Sequence, residues 1–270
     1  MTDLNKKILD TVYGAGKIVL SAPRGCPEEL ISQKGGTFNY VTEYDVKVQR
    51  FLEEKLSEII PGARFFAEEE GEDKRGLDDE PTFIIDPIDG TSNFIHGFGG
   101  CAVSVALFDC GTAVFGAVYL PYTDEMFYAE RGGGAFLNGE PIRVSGLETR
   151  RALTLFGTTP YMRQSMCDAV LELARGLLMN SVDVRRCGAA AADLCYVACG
   201  RAAAFCEMLL SPWDYAAGAL IVTEAGGVVT RFDGSELSYT EKSSVIASNK
   251  ASYDFVSRLC GEISEKYGVR

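Results

Sequence analysis

Two carboxylates three residues apart, Asp86 and Asp89, sit in the run Asp86-Pro87-Ile88-Asp89-Gly90-Thr91, directly after the apolar Phe83-Ile84-Ile85. Acids are a poor choice beside a core and a good one for holding divalent cations, since hard ions such as Mg²⁺ take oxygen ligands. Both side chains reach one place if the backbone turns sharply. Pro87 favours this by fixing φ and removing an N–H, and the Ile88 carbonyl is then a free oxygen inside the turn. Gly90 admits close backbone approach, and the N–H groups around Gly90-Thr91-Ser92 suit an anion at a helix start. Two further acids stand out: Glu68 after Arg64-Phe65-Phe66-Ala67, and Asp214 in Trp213-Asp214-Tyr215-Ala216-Ala217-Gly218. Read alone, Asp-x-x-Asp serves equally as a solvated turn, and Asp214 has an alternative reading as a helix N-cap.

Four clustered carboxylates carry a charge of -4. Like charges about 4 Å apart cost about 4 kcal/mol at an effective dielectric near 20. A phosphate monoester is repelled by such a site. Two Mg²⁺ bring it to zero and a third makes it positive, which suits a dianion. The whole chain is also acidic, with a net charge of -12, which argues against a nucleic-acid polymer and an anionic membrane surface as partners. No stretch reads as a membrane span or a signal peptide. The nine cysteines show no CxxC spacing, so they fit free, mostly buried thiols in a reducing cytoplasm.

The elements that must position these acids follow from periodicity. Residues 3–20 place Leu4, Ile8, Val12, Ala15 and Val19 on one helical face. The segment 31–40, with Lys34-Gly35-Gly36, reads as flexible. A second helix starts near Thr42 and stops at Pro61-Gly62, with Val48, Phe51, Leu52, Leu56 and Ile59 on one face. Strands follow at 64–67, 82–85, 102–108, 113–120, 126–130 and 135–137. Asp109-Cys110-Gly111 and Asn138-Gly139 mark the tight turns. Beyond a composition shift near 146–152 come helices near 162–178, 189–199, 213–225 and 251–267, with strands at 203–206, 228–231 and 244–247. Strands clustered between helices suggest layered α/β sheets. A single catalytic domain over 1–270 is expected, with lobes of about 1–146 and 147–270.

Four segments in this order resemble the inositol monophosphatase family: FAEEEG at 66–71, DPIDGTSNF at 86–94, GGGAFLNGEPIRVS at 132–145 and WDYAAGALIVTEAGG at 213–227. The resemblance spreads over most of the chain. It implies a layered α-β-α-β-α sandwich of the sugar phosphatase type, usually a homodimer, and Mg²⁺-dependent hydrolysis of phosphate monoesters, often inhibited by Li⁺. Carried over by motif, Glu68 holds the first metal and reaches a third, and Asp86 bridges the first and second. The Ile88 carbonyl completes the first site, and Asp89 and Asp214 hold the second. Thr91 orients the attacking water with Asp45 as its acidic partner and with the catalytic Glu68, and the Gly90 and Thr91 amides bind phosphate. Asp89, Ala190, Glu207 and Asp214 contact the substrate, Glu207 as a ligand of a sugar hydroxyl. Lys34 falls in the family's loop over the metals and reads equally as a solvated lysine. Ala67 replaces the usual Gly before the acids. Ser211 stands where several inositol-selective members carry His, so selectivity within the family is open.

The expected chemistry is direct in-line attack of a metal-activated water, since the one histidine, His96, lacks partners for a dyad and reads as structural. The substrate class is inositol monophosphate or a related sugar or polyol phosphate. Fructose 1,6-bisphosphate and a 3′-phosphoadenosine nucleotide are the alternatives on the same scaffold. A non-catalytic phosphate-binding protein would not need the Thr91–Asp45 pair. Glu224 reads as structural. Gly14-Ala15-Gly16-Lys17 is a weak phosphate-loop candidate, because no strand precedes it.

Overall fold

Apolar residues at helical spacing bury one face of α1 (Asp3–Leu20) through Ile8, Val12, Ala15 and Val19. Leu4, expected on that face, is exposed; at 3.6 residues per turn it stands at the edge of the stripe. The computed structural model describes residues 2–34, 39–69, 76–77, 80–159 and 163–269. The Gly35-Gly36 stretch and the Glu70-Gly71 end of the acidic run lie outside these. The rest of the 31–40 segment is not featureless, because β1 (Ile31–Gln33) pairs antiparallel with β2 (Tyr40–Thr42). Thr42 then caps α2 (Glu43–Ile59): its hydroxyl accepts from Asp45 N–H, and the Asp45 carboxylate accepts from Thr42 N–H, a capping box that also fixes the direction of the Asp45 side chain.

A seven-stranded sheet contains β3 (Arg64–Ala67), β4 (Thr82–Asp89), β5 (Ala102–Asp109), β6 (Thr112–Leu120), β7 (Glu125–Glu130), β8 (Gly134–Leu137) and β9 (Glu140–Ile142), neighbours in chain order. The short helix α3 (Thr91–Ile95) interrupts it after β4. Cys110-Gly111 and Asn138-Gly139 turn their hairpins with both residues at positive φ, as tight two-residue turns require. The second sheet has five strands, in the order β11-β10-β12-β14-β13. Its members are β10 (Leu153–Phe156), β11 (Asp183–Arg185), β12 (Ala204–Leu210), β13 (Val228–Thr230) and β14 (Ser243–Ser248). Of these, β10, β11 and the far end of β12 were not marked by sequence pattern, being short or continuous with a helix-like apolar run.

Four helices complete the chain: α4 (Arg163–Leu178), α5 (Ala190–Ala198), α6 (Pro212–Glu224) and α7 (Lys250–Tyr267). Helices α1 and α2 pack on one face of the large sheet, α5 and α6 lie between the two sheets, and α4 and α7 cover the outer face of the small sheet. The order is therefore α-β-α-β-α, with three apolar clusters filling the spaces between layers. The central α6 is buried nearly all round, as its Ala216-Ala217-Gly218-Ala219 run allows. A Cβ on Gly218 would come within 2.6 Å of the Leu194 side chain, and one on Gly116 within 2.9 Å of the Ala217 carbonyl oxygen, so small residues set the spacing of these layers.

Candidate active site

The strand expected to end at Ile85 runs on through both acids to Asp89. In a regular strand, residues three apart point to opposite faces. Here Asp86 pairs with Ser104 and Asp89 with Ala102, so β4 carries one more residue than β5 over this span. That one-residue bulge reverses the alternation and turns both carboxylates to the same side. Pro87 fits inside it because the bulge frees the strand from a ladder hydrogen bond there. Asp214 arrives from the first turn of α6, and Ser104 Oγ donates to Trp213 O (3.3 Å), tying that helix start to β5. Carboxylate oxygens of Asp86, Asp89 and Asp214 all lie within 4.8 Å of one another.

Burial first, and the neighbouring acids second, hold Asp86 well above its ordinary range. Burial likewise raises Asp214, with Asp89 and Glu68 adding to it. Asp89 is pushed to about 8 by burial, although the Ala191 N–H donates to its Oδ2 at 2.7 Å. An all-oxygen donor set that is buried and repels itself fits a hard divalent cation. Asp214 is not the N-cap. Ser211 is, and Asp214 stands at the third helical position, where it accepts from Ser211 N–H (2.7 Å) in a capping box.

Glu68 lies outside this group of three. Its Oε1 accepts from Lys34 Nζ at 3.0 Å, and Lys34 also pairs with Glu69. Lys34 is therefore an ion-paired lysine at the site's edge. Burial lowers its pKa, but Glu68 and Glu69 more than offset this and the net shift is upward. Glu69 itself rises to about 7, through burial and then Glu68. The Thr91–Asp45 pair is present: Thr91 Oγ1 stands 3.4 Å from Asp45 Oδ1 and 3.2 Å from the Ile88 carbonyl oxygen. That carbonyl is thus not the free oxygen expected, though an sp² oxygen keeps a second lone pair. Burial raises Asp45 to about 6, against the hydrogen bonds from Thr42 that lower it. Gly90 sits at φ 88 as the cap of α3. A Cβ there would come within 2.9 Å of Gly100 O and 3.0 Å of Gly188 O, so the position excludes other residues.

Several of these groups open onto a cavity of about 150 Å³. Its lining includes Glu68, Asp89, Gly90, Thr91 and Asp214 together with Arg186, Ala190, Asp193 and Glu207. Glu207 is held by Thr159, whose N–H and Oγ1 donate to Oε1 at 2.9 and 3.3 Å. Burial and then Asp214 push it to about 8. Gly157 makes room for it, since a Cβ there would fall 1.7 Å from Glu207 Oε2. Sequence reasoning missed Thr159, Gly157, Asp193 and the Ala191 amide. An acid in the first turn of a helix, as Asp193 is in α5, was the one available signal.

The remaining candidates stand elsewhere. Gly14 to Lys17 lies inside α1, where Gly16 packs against Tyr119, which removes the phosphate-loop reading. His96 is exposed, and its backbone N–H closes α3. Glu224 accepts from the N–H groups of Gly132 (2.8 Å) and Gly134 (3.0 Å), a structural role that fastens the end of α6 to the β7–β8 turn. All nine cysteines are free, and five are buried. No helix among the described residues is long and apolar enough to cross a membrane.

The model of the Inositol monophosphatase family matches residues 3–265. An inositol-1-monophosphatase of Rhizobium meliloti is 40% identical over 230 residues, which is 84% of this chain and 85% of that protein. Among solved structures, the IMPase of Thermotoga maritima matches with a TM-score of 0.85 at 32% identity, over 96% of this chain and 97% of its own. The extragenic suppressor protein SuhB of Bartonella henselae matches with a TM-score of 0.86 at 34% identity, over 96% and 98% of the two chains.

Proposed function

Because the chain belongs to the inositol monophosphatase family and is a phosphoric monoester hydrolase, we propose that its substrate is inositol monophosphate or a closely related polyol or sugar phosphate, hydrolysed with Mg²⁺. The observation that carries this reading is the convergence of Asp86, Asp89 and Asp214, two of which line the cavity, beside the Thr91–Asp45 pair. The name of the Rhizobium meliloti relative supports the inositol ring.

Asp86, Asp89, Asp214, Glu68 and the Ile88 carbonyl would hold the cations, two or three in number. When bound, Mg²⁺ supplies the positive charge that lets these carboxylates ionise, draws in a phosphate dianion and acidifies a water. With its single O–H turned from the Ile88 carbonyl to donate to Asp45, Thr91 leaves its hydroxyl oxygen to accept from the attacking water and aim it at phosphorus. The Gly90 and Thr91 amides face the phosphate, and Asp89 and Asp214 also border it. Glu207 and the start of α5 at Ala190 face the non-reacting end of the alcohol. Attack in line inverts the configuration at phosphorus.

A homodimer belongs to this reading. Leu171 and Leu178, seven residues apart on α4, are 62% and 52% exposed, and Met179 and Val182 beyond them are 74% and 63% exposed. They supply an apolar face near the edge strand β11. Phosphate release from inositol 1-phosphate, fructose 1,6-bisphosphate and 3′-phosphoadenosine nucleotides, with Mg²⁺ or EDTA, tests the proposal. Fast release from the inositol ester only with Mg²⁺, and its inhibition by Li⁺, is expected. Release that ignores EDTA, or that favours either alternative substrate, would overturn it.

A further inference from the structure

Asp193 lines the same cavity as the proposed metal ligands Asp89 and Asp214 and is not needed by the chemistry above. It is 1% exposed, and its Oδ1 has no hydrogen-bond partner among the described residues. A buried carboxylate oxygen left unpaired costs stability, roughly 1–3 kcal/mol or more. Position in the first turn of α5 does not explain it, because the carboxylate caps no N–H there and the Asp193 N–H itself donates to Ala189 O. The Cys187 thiol hydrogen-bonds to the side chain and Arg186 lies close enough to act on it, yet burial still pushes the carboxyl to about 7. Asp193 in turn lies near enough to Asp89 and Glu207 to raise both carboxyls. All three line the same cavity.

We propose that Asp193 is a specificity residue whose Oδ1 accepts a hydroxyl from the non-reacting end of the substrate, beside the hydroxyl taken by Glu207. A polyol or sugar phosphate with neighbouring hydroxyls is the ligand class that satisfies both acids at once. A buried, unpaired acceptor is tolerated because the bound alcohol completes it. This inference rests on the phosphatase reading above and goes beyond it in assigning the second acceptor.

The test compares the intact protein with Asp193→Asn and Asp193→Ala on two esters in Mg²⁺: inositol 1-phosphate, and 4-nitrophenyl phosphate, which has no hydroxyl to offer. For the inositol ester, KM is expected to rise about tenfold or more in Asp193→Ala, and less in Asp193→Asn, whose amide oxygen still accepts. For 4-nitrophenyl phosphate KM is expected to stay unchanged, and in both variants kcat stays within about threefold on both esters. Both variants should melt no lower than the parent, since each removes an unsatisfied buried charge. An unchanged KM for the inositol ester would overturn the assignment. So would a parallel loss on both esters with a lower melting temperature, which marks a structural role. Hydrolysis of 4-nitrophenyl phosphate but not of polyol phosphates by the parent overturns this inference together with the polyol substrate proposed above, and leaves only phosphatase activity standing; an unchanged KM in variants of a parent active on the inositol ester overturns this inference alone. Hydrolysis of neither ester removes the phosphatase reading and this one with it.

Discussion

Asp45, Asp193 and Glu207 have carboxyls pushed by burial to about 6, 7 and 8. In an open chain they titrate near about 4. A group raised in this way adds stability that is full below its unfolded value and is lost as pH rises through its folded one. Without metal, the protein is therefore expected to melt at a higher temperature at pH 5.5 than at pH 8.5. Most of the loss should fall between about pH 4 and pH 8. Magnesium, which needs the ionised acids, should raise the melting point more at pH 8.5 than at pH 5.5. Thermal melts in EDTA and in Mg²⁺ read this directly, and a pH-independent melting point in EDTA would contradict it. Asp89→Asn should lower Mg²⁺-dependent turnover by at least about 10²-fold, given that even supporting partners of a metal ligand are worth 10–100-fold. Its melting point in EDTA should not fall, since one of three mutually repelling groups is gone.

At the level of elements, much of the site was legible. Asp86, Asp89 and Asp214 could be singled out because acids beside apolar runs and small residues conflict with a core, and the structure brings those three together. Their common direction was not legible, because it comes from a bulge defined by the partner strand: only pairing with Ser104 and Ala102 reveals the extra residue. The small-sheet strands β10 and β11 were missed for the same reason, since three or four residues carry no period of their own. Glu207 was marked by motif, but its support was not. Thr159 and Gly157 meet it across the β10–β12 neighbourhood, 48 residues away for Thr159, and neither shows a local signal. Gly157→Ala tests that support. Its Cβ would overlap Glu207 Oε2, so the carboxylate must move. A stability loss of about 1–3 kcal/mol is expected from the overpacking, with a raised KM for polyol phosphates. Wild-type kinetics in this variant would show that Glu207 does not need its present place.

Over the whole molecule, the five layers were partly legible from helices at both ends of the chain and strands between them. The assignment of each helix to a layer was not, because amphipathic pattern names a buried face without naming what covers it. Only α5 and α6, apolar nearly all round, have to lie at the centre. The outer layer leaves Leu171, Leu178, Met179 and Val182 in the open. A Met179→Asp, Val182→Asp double variant is expected to sediment as a monomer where the parent sediments as a dimer, with Mg²⁺-dependent turnover per chain reduced less than tenfold. Identical sedimentation of the two would remove this face as the contact. Separation along the chain also sets when the site first exists. Asp86 and Asp89 belong to a strand made early, whereas Asp214 opens the helix that fills the space between both sheets. During synthesis the early acids can settle without Asp214 beside them. The full repulsion arises only when α6 docks, so a divalent ion present at that moment would act as the last participant in folding, and a chain cut before α6 would be released without the third carboxylate that the site requires.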